Sequence, residues 1–144
     1  MENRIAKLGN NLTDEIIRLK EDHLTTIISI VGEYLWYSIQ KESGTSEEIS
    51  QNTLDIIGFY CDKVDDDGAG YDMYLFPDDD EKLSSLLTEL KAYDEEFKKL
   101  STDEQENAEG SNYDLMCISR DYETILYYIE QANHPSELVI FHKR

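Results

Sequence analysis

The segment Asp62–Tyr74, DKVDDDGAGYDMY, is where residue type and spacing come closest to a known chemistry. Asp65, Asp67 and Gly68 fall at the third, fifth and sixth positions of an EF-hand calcium loop. The first position is Lys63 and the twelfth is Tyr74, so the leading carboxylate and the bidentate glutamate are both missing. The segment reads as an acidic hairpin tip, and no metal is implied. Recognition is the other chemistry open to it. Two acidic runs, Asp65–Asp67 and Asp78–Glu81, bracket Tyr71 and Tyr74. Rings flanked by carboxylates suit a surface for a basic protein, because charge steers the encounter and buried aromatics supply most of the binding energy. The plainer reading is a solvated loop followed by a helix N-terminus that complements its own dipole.

Other reactive constellations are scarce. His23, His134 and His142 stand apart from any serine, cysteine or aspartate arranged as a nucleophile motif, and no Gly-rich phosphate loop, HExxH or CxxC is present. Glu95 and Glu96 are adjacent, but among 32 acidic residues an adjacent pair carries no signal for acid–base work. Cys61 and Cys117 lack partners at ligand spacing and read as two reduced, buried thiols. Tyr34, Trp36, Tyr37, Tyr127 and Tyr128 read as core and core edge. These observations lead to an expectation of a non-catalytic protein with no cofactor.

The charge balance narrows the partners. With 32 acidic against 13 basic side chains, the net charge is -19. Residues 45–110 hold 20 acidic and five basic side chains, so most of the excess belongs to the middle of the chain. Nucleic acid and anionic membranes are bound by clustered lysine and arginine, which this sequence lacks, so neither is expected as a direct ligand. The N-terminal MENRIAKLGNN has no signal-peptide core, and the stretch Leu24–Ile39 is broken by polar residues, which together point to the cytoplasm. At 144 residues and 40% hydrophobic content, one folded domain spanning 1–144 is expected.

The elements that would position the acidic segment follow from periodicity. Apolar spacing predicts a long helix over 12–42, with the β-branched run from Thr25 keeping a strand open there. Thr45 and Glu48 have capping-box spacing, which predicts a short helix to about Asn52. Residues 54–64 fit either a continued helix or a strand. The Asp-Gly turn after them and the alternation in 70–76 favour a hairpin of about 56–64 and 70–76. Residues 80–100 form an amphipathic helix, and Ser101 with Glu104 starts another short turn before a polar loop to Gly110. A last helix covers about 112–132, with Leu115, Ile118, Tyr122, Ile125, Leu126 and Ile129 inward, and a final strand covers 137–142. The expected fold is α+β, mainly helical, with a small antiparallel sheet made of the hairpin of about 56–76 and the C-terminal strand.

Gly58-Phe59-Tyr60 and the acidic turn Asp65–Gly68, set between an N-terminal helix and an amphipathic helix, resemble small acidic bacterial immunity proteins. Across residues 12–100 the resemblance implies a cytosolic antidote that docks on a toxin domain, often a basic nuclease. The expected partner-binding residues are Asp62, Asp65, Asp66, Asp67, Tyr71, Asp72, Tyr74, Asp78, Asp79, Asp80 and Glu81, helped by Glu95 and Glu96. They would cover a basic site on a toxin, nuclease or DNA-binding protein. The alternatives are a DNA mimic of the kind a phage could encode and a small enzyme with a carboxylate site.

Overall fold

The computed structural model describes residues 2–7, 46–65, 71–77 and 79–143. The expected helix over 12–42, together with His23, Tyr34, Trp36 and Tyr37, lies outside the described residues. Within them a five-stranded antiparallel sheet is built from β1 (Glu2–Lys7), β2 (Ser46–Glu48), β3 (Asp62–Asp65), β4 (Tyr71–Leu75) and β5 (Leu138–Lys143), in the order β2-β1-β5-β4-β3. Four α-helices accompany it among the described residues: α1 (Gln51–Ile57), α2 (Asp80–Lys98), α3 (Thr102–Glu106) and α4 (Ser111–Gln131). The fold is α+β, as composition and periodicity imply. No helix of the described residues is long and apolar enough to cross a membrane.

The central strand β5 contains the run Leu138-Val139-Ile140-Phe141, all four fully buried. A continuous apolar strand of this kind needs cover on both faces. On one face Ile5, Leu138 and Ile140 meet Leu54 and Ile57 of α1, Leu86 and Leu90 of α2, and Ile118, Ile125 and Tyr128 of α4. Ala6, Met73, Leu75, Val139 and Phe141 alternate onto the other face and are also buried. The helix-covered core fixes how α2 and α4 lie against the sheet.

Three expectations are corrected. The capping-box spacing at Thr45 and Glu48 does not start a helix, because Ser46–Glu48 is strand β2, paired with Ala6 to Arg4 of β1. Helix α1 starts at Gln51, where Ser50 caps it by accepting from the Thr53 N–H at 3.4 Å. Residues 56–61 are not strand: α1 runs to Ile57, and the Gly58, Phe59, Tyr60 and Cys61 amides bond back to carbonyls of Leu54, Ile56 and Ile57. Strand β3 begins only at Asp62, opposite Leu75. Residues 104–106 belong to α3 and not to a loop, because Ser101 and Glu104 complete a reciprocal capping box, with the Glu104 N–H donating to Ser101 Oγ at 3.1 Å. Strand β1 has only Ile5 and Ala6 as apolar signal. Pairing with β5, far along the chain, makes it a strand.

Candidate partner interface

Of the hairpin residues expected to meet a partner, Asp62 is exposed, whereas Asp72 and Tyr74 turn toward the helix-covered face of the sheet. Asp72 is 3% exposed and sits in register between His142 of β5 and Asp65 of β3. It belongs to a buried polar row. His142 Nδ1–H donates to Asn3 Oδ1, Asn3 Nδ2 donates to Gln51 Oε1 at 3.2 Å, and Lys63 Nζ lies 3.8 Å from Asp72 Oδ2. Asp72 is therefore corrected from partner-binding residue to core residue. Tyr74 is half-buried against the core, with Lys63 Nζ 5.9 Å from its ring centroid. Asp65 and Tyr71 are placed in β3 and β4, whereas Asp66, Asp67 and Asp78 lie outside the described residues.

Helix α2 separates the remaining acidic residues. Asp79 is its N-cap and accepts from the Glu81 and Lys82 amides at 2.8 and 3.3 Å, with exposed Asp80 and Glu81 in the first turn. These carboxylates complement the helix dipole as the plainer reading has it. Glu95 and Glu96 lie near the other end, about 24 Å along the axis from Asp80 at 1.5 Å per residue. There they join Asp103, Glu104, Glu106, Glu109 and Asp114 in an exposed acidic corner shared by α2, α3 and α4, with only Lys98 and Lys99 as basic residues between them.

That corner continues into the outer surface of α4, which the sequence does not single out. Tyr113 is 51% exposed, Tyr127 55% and Leu126 38%, so Leu126 is corrected from its inward assignment and Tyr127 is the exposed member of the core-edge tyrosine pair. Tyr128, 3% exposed, takes the core position and meets Tyr127 edge-on at 5.9 Å between ring centroids. Adjacent helical residues point roughly 100° apart, so only one of this pair can face the core. Tyr113, Arg120 and Tyr127 recur every seventh residue and share one stripe, flanked by exposed Glu123 and Glu130. The remaining prominent ring is Phe59, 86% exposed on the turn after α1. An apolar residue beside Gly58 at a helix end is the one sequence signal that could have marked it.

Buried polar contacts tie α4 to α1 and α2. Asp121 Oδ2 accepts from the Ser50 N–H at 2.9 Å, Ser50 Oγ at 2.6 Å and Thr53 Oγ1 at 2.6 Å, tying α4 to the start of α1. Its Oδ1 is buried, with Arg120 Nε 3.6 Å away. On the side toward α2, Ser119 Oγ donates to Asp94 Oδ1 at 2.6 Å, while Lys98 Nζ reaches Asp94 at 3.0 Å and Glu123 at 3.5 Å. The hydrogen bond to Asp94 and that carboxylate's charge raise the Lys98 pKa above its ordinary 10.5, with Glu123 adding to the effect and partial burial opposing it. Burial first, then the charges of Asp94 and Glu95, raise the Tyr122 hydroxyl above 10.0 against the opposing charge of Lys98. Tyr60 donates to Glu89, and that bond, followed by desolvation and the glutamate charge, raises its hydroxyl as well.

Cys61 and Cys117 are both buried, and no disulfide joins them. Comparisons with protein-family models, with curated proteins and with solved structures returned no match.

Proposed function

We propose that this chain is a non-catalytic binding protein that covers a basic site on another macromolecule, acting as a stoichiometric inhibitor in the manner of an immunity protein. The observation that carries the reading is the outer surface of α4, where Tyr113 and Tyr127 remain half-exposed among Glu109, Asp114, Glu123 and Glu130. Rings on a helix that is pinned to α1 and α2 lose little entropy when a partner covers them. Each can act as an interface anchor while the surrounding carboxylates steer a cationic partner into place. The site proposed here is thus α4 with its acidic corner, and not the hairpin.

The test is affinity capture from a host lysate with wild-type protein and with a Tyr113→Ala/Tyr127→Ala variant of identical charge. Capture of a cationic protein by the wild type and its loss in the variant is the expected outcome. Equal capture by both would move the interface elsewhere. Displacement of the captured protein by duplex DNA would turn the reading into that of a DNA mimic, because a mimic and DNA compete for one phosphate-binding site.

A further inference from the structure

Between β2 and α4 lies an open groove of about 310 Å³, lined among the described residues by Glu47, Glu123, Thr124 and Tyr127. Its walls come from two elements far apart in sequence, the short strand β2 and the fourth and fifth turns of α4. Glu47, Glu123 and Tyr127 are exposed, so two carboxylates and a ring edge or face are available to whatever enters. Glu123 already takes an ammonium from within the chain, Lys98 Nζ at 3.5 Å, on a carboxylate that remains 66% exposed. Thr124 Oγ1 donates to the Arg120 carbonyl at 3.2 Å, which turns its hydroxyl proton inward along the helix and leaves an acceptor oxygen and a methyl group for the groove.

We infer that this groove seats one arginine side chain of the partner, its guanidinium stacked on Tyr127 and hydrogen-bonded to Glu47 and Glu123. The assignment rests on the binding function proposed above and adds the identity of an anchoring contact. Charge complementarity selects a cation, since two carboxylates face the groove and, among the described residues, the ammonium on Glu123 is that of Lys98. The ring selects arginine over lysine. A planar guanidinium stacks on an aromatic face and still offers its edge donors to two carboxylates, whereas an ammonium is a compact, strongly hydrated point charge. The volume lies at the low end of the range for small-ligand sites and suits one side chain more than a folded segment.

The probe is the blocked tripeptide acetyl-Gly-Arg-Gly-amide, titrated into the full-length protein at physiological salt and followed by backbone amide shifts in NMR. Saturable shifts at Glu47, Glu48 and residues 123–128 are expected, weakened roughly tenfold by Tyr127→Ala, which leaves the charge unchanged. The matching Gly-Lys-Gly peptide is expected to bind more weakly at the same residues. Shifts spread over the carboxylates of α2 and α3 as strongly as over the groove, or a response unchanged by Tyr127→Ala, would overturn the assignment. So would equal binding of the lysine peptide. A silent groove in a protein that still captures its cationic partner removes this inference alone. A groove that takes the peptide in a protein that captures nothing removes the proposed function and leaves the groove.

Discussion

Asp121 is the residue on which the geometry of α4 depends most. One of its oxygens accepts three hydrogen bonds from Ser50 and Thr53, and the side chain is 1% exposed. Asp121→Ala would leave buried donors unpaired at the start of α1, a loss of about 2–4 kcal/mol by analogy with other buried charged hydrogen bonds. Thermal unfolding should register it as a midpoint roughly 6–15 °C lower. Tyrosine ionisation gives a second check at this scale. Tyr60 and Tyr122 have raised pKa values, so the folded state holds their protons more tightly than the unfolded chain does. Their stabilising contribution is full below the ordinary tyrosine value of 10.0 and is lost as pH climbs through the folded values above it. Absorbance at the tyrosinate band should show a late-titrating fraction that Tyr60→Phe and Tyr122→Phe each reduce, with the unfolding midpoint steady at neutral pH and falling above 10.0. At the level of residues the sequence is legible for the two buried cysteines and for the acidic residues that complement the dipole at the start of α2. It misleads for Asp72, because polar type alone does not reveal that β4 is an interior strand whose Asp72 side chain is buried on the helix-covered face.

Among the elements, those with strong local signals are readable and those made by distant pairing are not. Helices α2 and α4 follow their apolar spacing to within one or two residues at each end, and β4 and β5 stand where alternation and the apolar run place them. Strands β1 and β2 have little local preference for extension. They form because Ile5 pairs opposite Ile140 and Glu47 opposite Ile5, contacts no window of sequence contains. Helix α1 defeats the strand reading because Ser50, Thr53 and Asp121 supply a cap assembled across 71 residues. At the other end of the acidic corner, Gly110 enters α4 with φ 58°, a conformation that costs a side chain, and an added Cβ would meet nothing within 4 Å. Gly110→Ala should therefore destabilise by about 1 kcal/mol through the backbone alone. Amide exchange faster at the start of α4 than at its centre would confirm it. A cost as large as that of a core cavity would show that the corner packs against more than solvent.

At the scale of the whole molecule, the carboxylates along α2 and α3 fall into two separate clusters among the described residues. The dipole-complementing cluster at the start of α2 and the acidic corner at its far end are held apart by the length of that helix. A charge of -19 attracts cations over long range, and under the proposed function the exposed rings on α4 are where contact is expected. Net charge and its concentration in the middle of the chain are plain in the sequence. The position of the exposed rings is not, because it depends on which of two adjacent tyrosines turns inward.

The decisive measurement is the dissociation constant of the captured partner at low and at high salt, compared for wild type, for Tyr113→Ala/Tyr127→Ala and for Asp79→Asn/Asp80→Asn/Glu81→Gln. The ring variant should weaken binding about thirtyfold or more at both salt concentrations, as loss of an interface anchor does, and the neutralised variant only a few-fold and mainly at low salt. A partner that tolerates the loss of both rings but is released by neutralising the start of α2 would contradict the assignment of α4 as the binding surface.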